Sequence, residues 1–241
     1  MTPGRAGKAY LFAILAVLFW STSPTAFKLG LRYQEPYQLL TLASLASFTV
    51  LGIIVLAGGR GRHFARFGWK DYAFSAAMGL LNPVAYYLIL FRAYSILPAQ
   101  VAQPLNMVWP IVLVLVSIPF LKQKIGWKSI LFMVVSFSGV VLVSLQGGDF
   151  GNEEEYSLVI ILSLSTSVLW AMYWILNARD DKDPVVRLFL NFTFASLYLL
   201  VVGLLRGGLF PLHPEAWYSG IYVGIFEMGV TFVLWLLAMQ Y

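Results

Sequence analysis

Residues 79–96 read GLLNPVAYYLILFRAYSI and residues 224–241 read GIFEMGVTFVLWLLAMQY. Each run is apolar at most positions and carries one charged residue, Arg92 in the first and Glu227 in the second. A helix that crosses the hydrocarbon layer needs ~20 predominantly apolar residues, because it must satisfy its own backbone N–H and C=O groups where no water reaches. By that rule the chain offers eight such stretches: Tyr10–Phe27, Tyr37–Ala57, Tyr72–Arg92, Ala99–Leu121, Lys128–Leu145, Ser157–Asn177, Val185–Leu205 and Trp217–Tyr241. The remaining composition agrees. Of the 241 residues 60% are hydrophobic and 11% charged, against roughly 25% charged in a soluble domain, too few to build a wet surface. The fold class expected is an all-α membrane protein, a polytopic helical bundle.

The first stretch has Arg5 and Lys8 as a basic flank, as a signal peptide would. It runs beyond the usual signal core and ends at Lys28 and Arg32 with no small-residue cleavage site, so a retained helix is expected. A pI near 9.4 could indicate nucleic acid, but the distribution of charge explains it better, and no nucleic-acid partner is expected. When the sixteen Lys and Arg residues are assigned to alternating sides, one side collects twelve: Arg5, Lys8, Arg60, Arg62, Arg66, Lys70, Lys122, Lys124, Lys128, Arg179, Lys182 and Arg187. The other collects Lys28, Arg32, Arg92 and Arg206. Cytoplasmic loops are the basic ones, so the amino terminus is expected on the cytoplasmic side of a bacterial inner membrane. The fifth and sixth stretches are expected to be joined on the opposite side by a loop holding Asp149, Glu153, Glu154 and Glu155 and no basic residue.

The two quoted runs also align with each other. At offsets of 145–150 residues Trp20 meets Trp170, Pro36 meets Pro184, Trp69 meets Trp217, and Gly79, Asn82 and Ala93 meet Gly224, Glu227 and Ala238. The common order points to a duplicated unit of five helices. An odd number of helices enters the membrane in the opposite sense, which gives the inverted repeats that secondary carriers commonly use, with the solute site near the midplane between them. The expected division is therefore a first repeat over 1–146 and a second over 147–241, five helices followed by three of an expected five.

The runs LFWSTSPTAFKLG in the first stretch, GLLNPVAYYLILFRAYSILPAQVAQPLNMVWPIVLVLVSIPFL through the third and fourth, and GIFEMGVTFVLWLLA in the eighth resemble the ten-helix EamA-like family of the drug/metabolite transporter superfamily. The resemblance covers the chain through its eighth helix and implies truncation after it. It also implies a transporter, more often an exporter, of small metabolites, amino acids or drug-like solutes. Family members often carry an acidic residue just after helix 4, where this chain has Lys122 and Lys124, and an arginine early in helix 2, where Leu39–Ser44 hold no charge.

Candidate site residues are polar or aromatic groups that share a helix face. Trp20 and Lys28 lie on one stripe of the first stretch, with Pro24 between them. In the fourth, Gln100, Gln103, Asn106 and Trp109 follow near-helical spacing, interrupted by Pro104 and Pro110. Amides there either glue helices together, at ~0.6 kcal/mol each, or line a cavity, and three within seven residues favour the cavity. In the sixth, Trp170, Tyr173, Trp174 and Asn177 fall at i, i+3, i+4 and i+7, either a wall that stacks on solute or ordinary bundle packing. Asn82 and Tyr86 flank Pro83 in the third. Lys28 and Arg92 are also placed to snorkel outward.

Glu227 is the sharpest signal. A carboxylate at the bilayer centre costs at least ~2.5 kcal/mol, so it should face water or a partner within the bundle, or hold a proton. It is the candidate proton-coupling group, with a structural glutamate as the alternative. No cysteine is present, and His63 and His213 both fall in loops. A membrane enzyme would need a nucleophile with its base, or a metal cluster. The chain is therefore expected not to be an enzyme and to hold no metal and no cofactor. The expected function is alternating-access transport, with a passive channel or scaffold subunit as the alternative. Expected partners are a small-molecule solute and the lipid bilayer, with a proton and a second copy of the chain as candidates.

Overall fold

A computed structural model of the chain describes residues 3–122, 124–145 and 153–240. The expected repeat junction at 146–147, the acidic position Asp149 and the last residue, Tyr241, lie outside the described residues.

The described residues form helices and connecting turns, with no strand among them. In chain order these are α1 (Pro3–Gly30), α2 (Pro36–Ala57), a 3-10 helix (Arg60–Arg66), α3 (Trp69–Gly79), α4 (Tyr86–Ile96), α5 (Ala99–Asn106) and α6 (Trp109–Leu121). There follow α7 (Trp127–Leu145), α8 (Glu153–Ala178), α9 (Pro184–Leu205), α10 (Pro214–Tyr222) and α11 (Thr231–Gln240). Among the described residues seven helical stretches are long and apolar enough to cross a membrane. The fifth expected run lies in a further helix, which includes the shorter apolar stretch Trp127–Gly139. The helix that contains it, α7, has 19 residues.

Three of the expected spans are interrupted, two of them at prolines. The third crosses as Trp69–Ile96, but π-helical turns over Leu80–Ala85 join α3 to α4, and Asn82 has extended backbone angles of φ −149° and ψ 119°. Pro83 supplies no N–H and obstructs the preceding turn. The fourth divides into α5 and α6 around Met107 and Val108, with Pro104 inside α5 and Pro110 at the start of α6. The last divides at π-helical turns over Val223–Val230, which join α10 to α11. Such turns leave carbonyls displaced from the regular ladder and recur at functional sites. The breaks in the third and last spans coincide under the sequence alignment, since 227 − 82 and 224 − 79 both equal 145.

Contacts divide the chain into two compact units, Met1–Val84 with Asp181–Tyr241, and Ala85–Asp180. In the first, α2 packs on α9, α10 and the Val223–Val230 segment, α1 packs on α10 and α11, and α3 packs on α9. Two glycines set the approach. A Cβ at Gly79 would lie 2.4 Å from the Asn191 carbonyl oxygen on α9, and one at Gly224 would lie 2.3 Å from the Ala43 carbonyl oxygen on α2. Only glycine lets helix backbones meet this closely. The two contacts match at an offset of 145 residues: Gly79 meets α9, and Gly224 meets α2. In the other unit, α8 packs on α4, α5 and α6, and α5 packs on α7.

Candidate functional site

In the first unit Asn82 and Glu227 lie in the two π-helical segments. Glu227 is 6% exposed, and its Oε2 accepts a hydrogen bond from the hydroxyl of Ser23 on α1. It thus has a hydrogen-bonded side chain as partner. Asn82 is fully buried, and neither Oδ1 nor Nδ2 has a hydrogen-bond partner among the described residues. A buried amide without partners costs ~1–3 kcal/mol, a cost that calls for a compensating role. Trp20 meets Trp235 of α11, with ring centroids 5.3 Å apart. Lys28 is half-buried near the end of α1. A cavity of about 710 Å³ in this unit is bounded by other residues of α1 and α10, and none of the expected site residues lines it.

In the second unit the aromatic stripe of α8 and the amides of α5 meet. The Trp170 ring lies 4.7 Å from Tyr86, 5.9 Å from Trp109 and 5.7 Å from Trp174. Asn106 Nδ2 donates to the Tyr86 hydroxyl at 2.7 Å, and the Tyr94 hydroxyl donates to Gln103 Oε1. Asn177 turns back on its own helix, donating to the Tyr173 carbonyl at 2.8 Å. Trp109, Trp170 and Tyr173 are 8%, 3% and 0% exposed, so in this conformation the stripe is packed inside the unit. Gln100 is exposed and does not join them. Gln103 and Asn106 bond to tyrosines of α4, and α5 packs on α4 and α8.

Two arrangements have no precedent in the sequence reading. Arg187, counted there among the basic residues of one side, is 1% exposed. It donates to the Asp71 carbonyl at 2.6 Å, to Ser75 Oγ at 2.9 Å and to Asp71 Oδ1 at 3.2 Å. Its guanidinium also lies 4.9 Å and 5.0 Å from the rings of Phe67 and Phe74. Asp71 falls in the first turn of α3, which begins at Trp69 and so earlier than the expected Tyr72. Nearby, Arg60 pairs with Asp183 at 2.6 Å, and the other oxygen of Asp183 caps α9 through the N–H groups of Val185 and Val186. These links fasten α3 and the 3-10 helix to the start of α9. A pairing of charges 116 residues apart leaves no local sequence signal.

The geometry is that of a multi-pass membrane protein with broken helices, and comparison with known proteins agrees. An uncharacterized transporter of Archaeoglobus fulgidus is 24% identical over 161 residues, which is 67% of this chain and 55% of that protein's length. The aromatic amino acid exporter YddG of Ancylobacter novellus is 26% identical over 236 residues, 96% of this chain and 79% of that protein. A crystal structure 22% identical in sequence superposes with a TM-score of 0.73 over 97% of this chain and 79% of that one, and so shares the fold. The profile of the EamA-like transporter family matches twice, over residues 7–145 and 157–241. The chain belongs to the EamA-like transporter family.

Proposed function

We propose that the chain is a secondary carrier that exports small amphipathic solutes, aromatic amino acids among them, across the bacterial inner membrane by alternating access, with its amino terminus in the cytoplasm. The observation that carries this reading is the pair of helix breaks at Asn82 and Glu227. Each sits three residues after a glycine that seats its helix on the second helix of the other copy. Two inverted repeats, 1–146 and 147–241, would give that correspondence. Broken helices offer polar groups to a solute at the depth where such carriers bind. The two family matches support the division, and the exporter named above supports the solute class. Glu227 is the coupling group in this reading, shifting between its Ser23 hydrogen bond and a proton. Vesicles loaded with radiolabelled tryptophan or phenylalanine should show saturable counterflow, and Glu227→Gln should remove the dependence of efflux on a pH gradient. Non-saturable flux would indicate a channel, and pH-dependent efflux unchanged in Glu227→Gln would leave the glutamate a structural role.

A further inference from the structure

The surface of α1 changes character along its length. Beyond the exposed Lys8, between Tyr10 and Leu18, the exposed side chains are Tyr10, Leu11, Ile14, Val17 and Leu18, each of these five more than half exposed, as a lipid-facing surface requires. One turn later the exposed side chains are Ser21, Thr22 and Thr25. This change falls where the cavity of about 710 Å³ opens against α10. That volume suits a small-molecule site.

Across the cavity from these hydroxyls stand Glu215, Tyr218 and Tyr222 of α10, with Tyr33 beyond the end of α1. The hydroxyls of Thr22 and Tyr222 are 2.7 Å apart and bridge the two helices. Glu215 is exposed and has no ion-pair partner among the described residues. Lys28 and Arg32 belong to the same end of α1, and neither pairs with it. One unpaired carboxylate and three tyrosine rings around a largely apolar space make a set that recognises an organic ammonium: the carboxylate supplies the countercharge, ring faces attract a cation, and the hydroxyls accept its N–H bonds.

We infer that the cavity between α1 and α10 is a binding site for small amphipathic amines, with Glu215 reading the ammonium. The inference rests on the carrier reading and specifies the solute class that reading leaves open.

The chain contains no cysteine, so a single introduced thiol reports the cavity without background. Thr25→Cys, with Ser21→Cys as the second position should the first fail to fold, is reacted in lipid nanodiscs with charged methanethiosulfonates of equal size. The cationic reagent should react roughly fivefold faster than the anionic one at low salt, the order expected of one exposed carboxylate ~9 Å away at a water-like dielectric constant of about 80. Glu215→Gln should collapse the ratio. Phenethylamine should slow the labelling, and 3-phenylpropionate, with the same ring and the opposite charge, should not. Absence of labelling by either reagent at both positions would mean the face lies against lipid or another helix and would overturn the inference. Equal rates, or equal protection by the two probes, would also overturn it. None of these readouts involves transport. Loss of tryptophan counterflow with charge-selective labelling intact would therefore count against the carrier reading, and the reverse against this site.

Discussion

Gly79→Ala and Gly224→Ala test the two backbone contacts that seat the broken helices. An added Cβ at Gly79 would stand 2.4 Å from the Asn191 oxygen, where ordinary contact begins near 3.4 Å, so the helices must part by 3.4 − 2.4 = 1.0 Å. Asn191 is fully buried on α9 and its backbone cannot swing aside as a flexible side chain could. Overpacking of this kind costs about 1–3 kcal/mol. At Gly224 the same clash comes with a second loss, since its carbonyl accepts a hydrogen bond from Ser47 at 2.8 Å, and parting the helices would forfeit a further ~0.5–1.5 kcal/mol. Gly139 supplies the control: it lies within α7, and an added Cβ there would meet nothing within 4 Å. Alanine in place of glycine in a helix otherwise gains ~0.8–1 kcal/mol, so Gly139→Ala should be neutral or stabilising. Since 1.4 kcal/mol is a factor of ten, Gly79→Ala should lower the folded-to-unfolded ratio roughly 5- to 140-fold, and Gly224→Ala somewhat more. Steric trapping in bicelles measures that ratio directly. If Gly79→Ala proved as stable as Gly139→Ala, the backbone contact, and with it the matched seating of the two breaks, would be refuted.

Trp170→Ala should cost about 3–5 kcal/mol of stability, read as loss of folded protein in detergent, because the ring is packed on Tyr86, Trp109 and Trp174; unchanged stability with a raised apparent Kd for solute would restore the cavity-wall reading. Arg187→Ala strands Asp71 and Ser75 and should cost about 3 kcal/mol, the lower end for a broken buried pair, because Lys182 stays 3.9 Å from Asp71 and Asp71 is partly solvated. A thermal midpoint unmoved by Arg187→Ala would show that the pair contributes nothing. Asn82→Leu replaces an amide without partners by an apolar side chain of similar size, so stability should hold or rise while efflux falls; full efflux from a stable Asn82→Leu protein would remove Asn82 from the transport path.

The apolar runs are local, so the helices were legible wherever twenty neighbouring residues agreed, and the division of the fourth span was legible because Pro104 and Pro110 interrupt it. What depends on a distant partner was not. Ser23 bonds Glu227 across 204 residues, yet in the sequence it is one serine among several in an apolar helix. Gln100 and Gln103 differ by three positions, but α5 is an eight-residue helix, and which of them faces inward is decided by how α8 covers it. The α8 stripe carried two readings because a stacking wall and a packed core need the same residues at the same spacing. In the structure the stripe packs against the rings of Tyr86 and Trp109, and the sequence alone carried no sign of those neighbours. Asp71 and Arg187 each look like interface charges beside a membrane helix, and only the packing of α3 on α9 turns them into a pair.

Polar side chains in these spans sort by where their hydrogen bonds go. Most hydroxyls close on their own helix: Ser21 on Leu18, Thr41 on Tyr37, Ser117 on Val114 and Thr193 on Phe189. Such a hydroxyl is satisfied whatever the neighbouring helices do, so its presence carries no information about packing or solute. Others join helices, as Ser44 joins Ser196 at 3.0 Å and Ser47 joins the Gly224 carbonyl, and these would be broken by any parting of α2 from α9 or α10. A conformational cycle that preserved them would have to carry those helices as one piece. The groups at the two π-helical segments differ, since Asn82 has no partner among the described residues and Glu227 joins α1 through Ser23 in a bond that a proton on the carboxylate would alter. A change of state is therefore most accessible at those two positions, where the backbone hydrogen-bond ladder is already irregular and protonation can rearrange the side-chain bond.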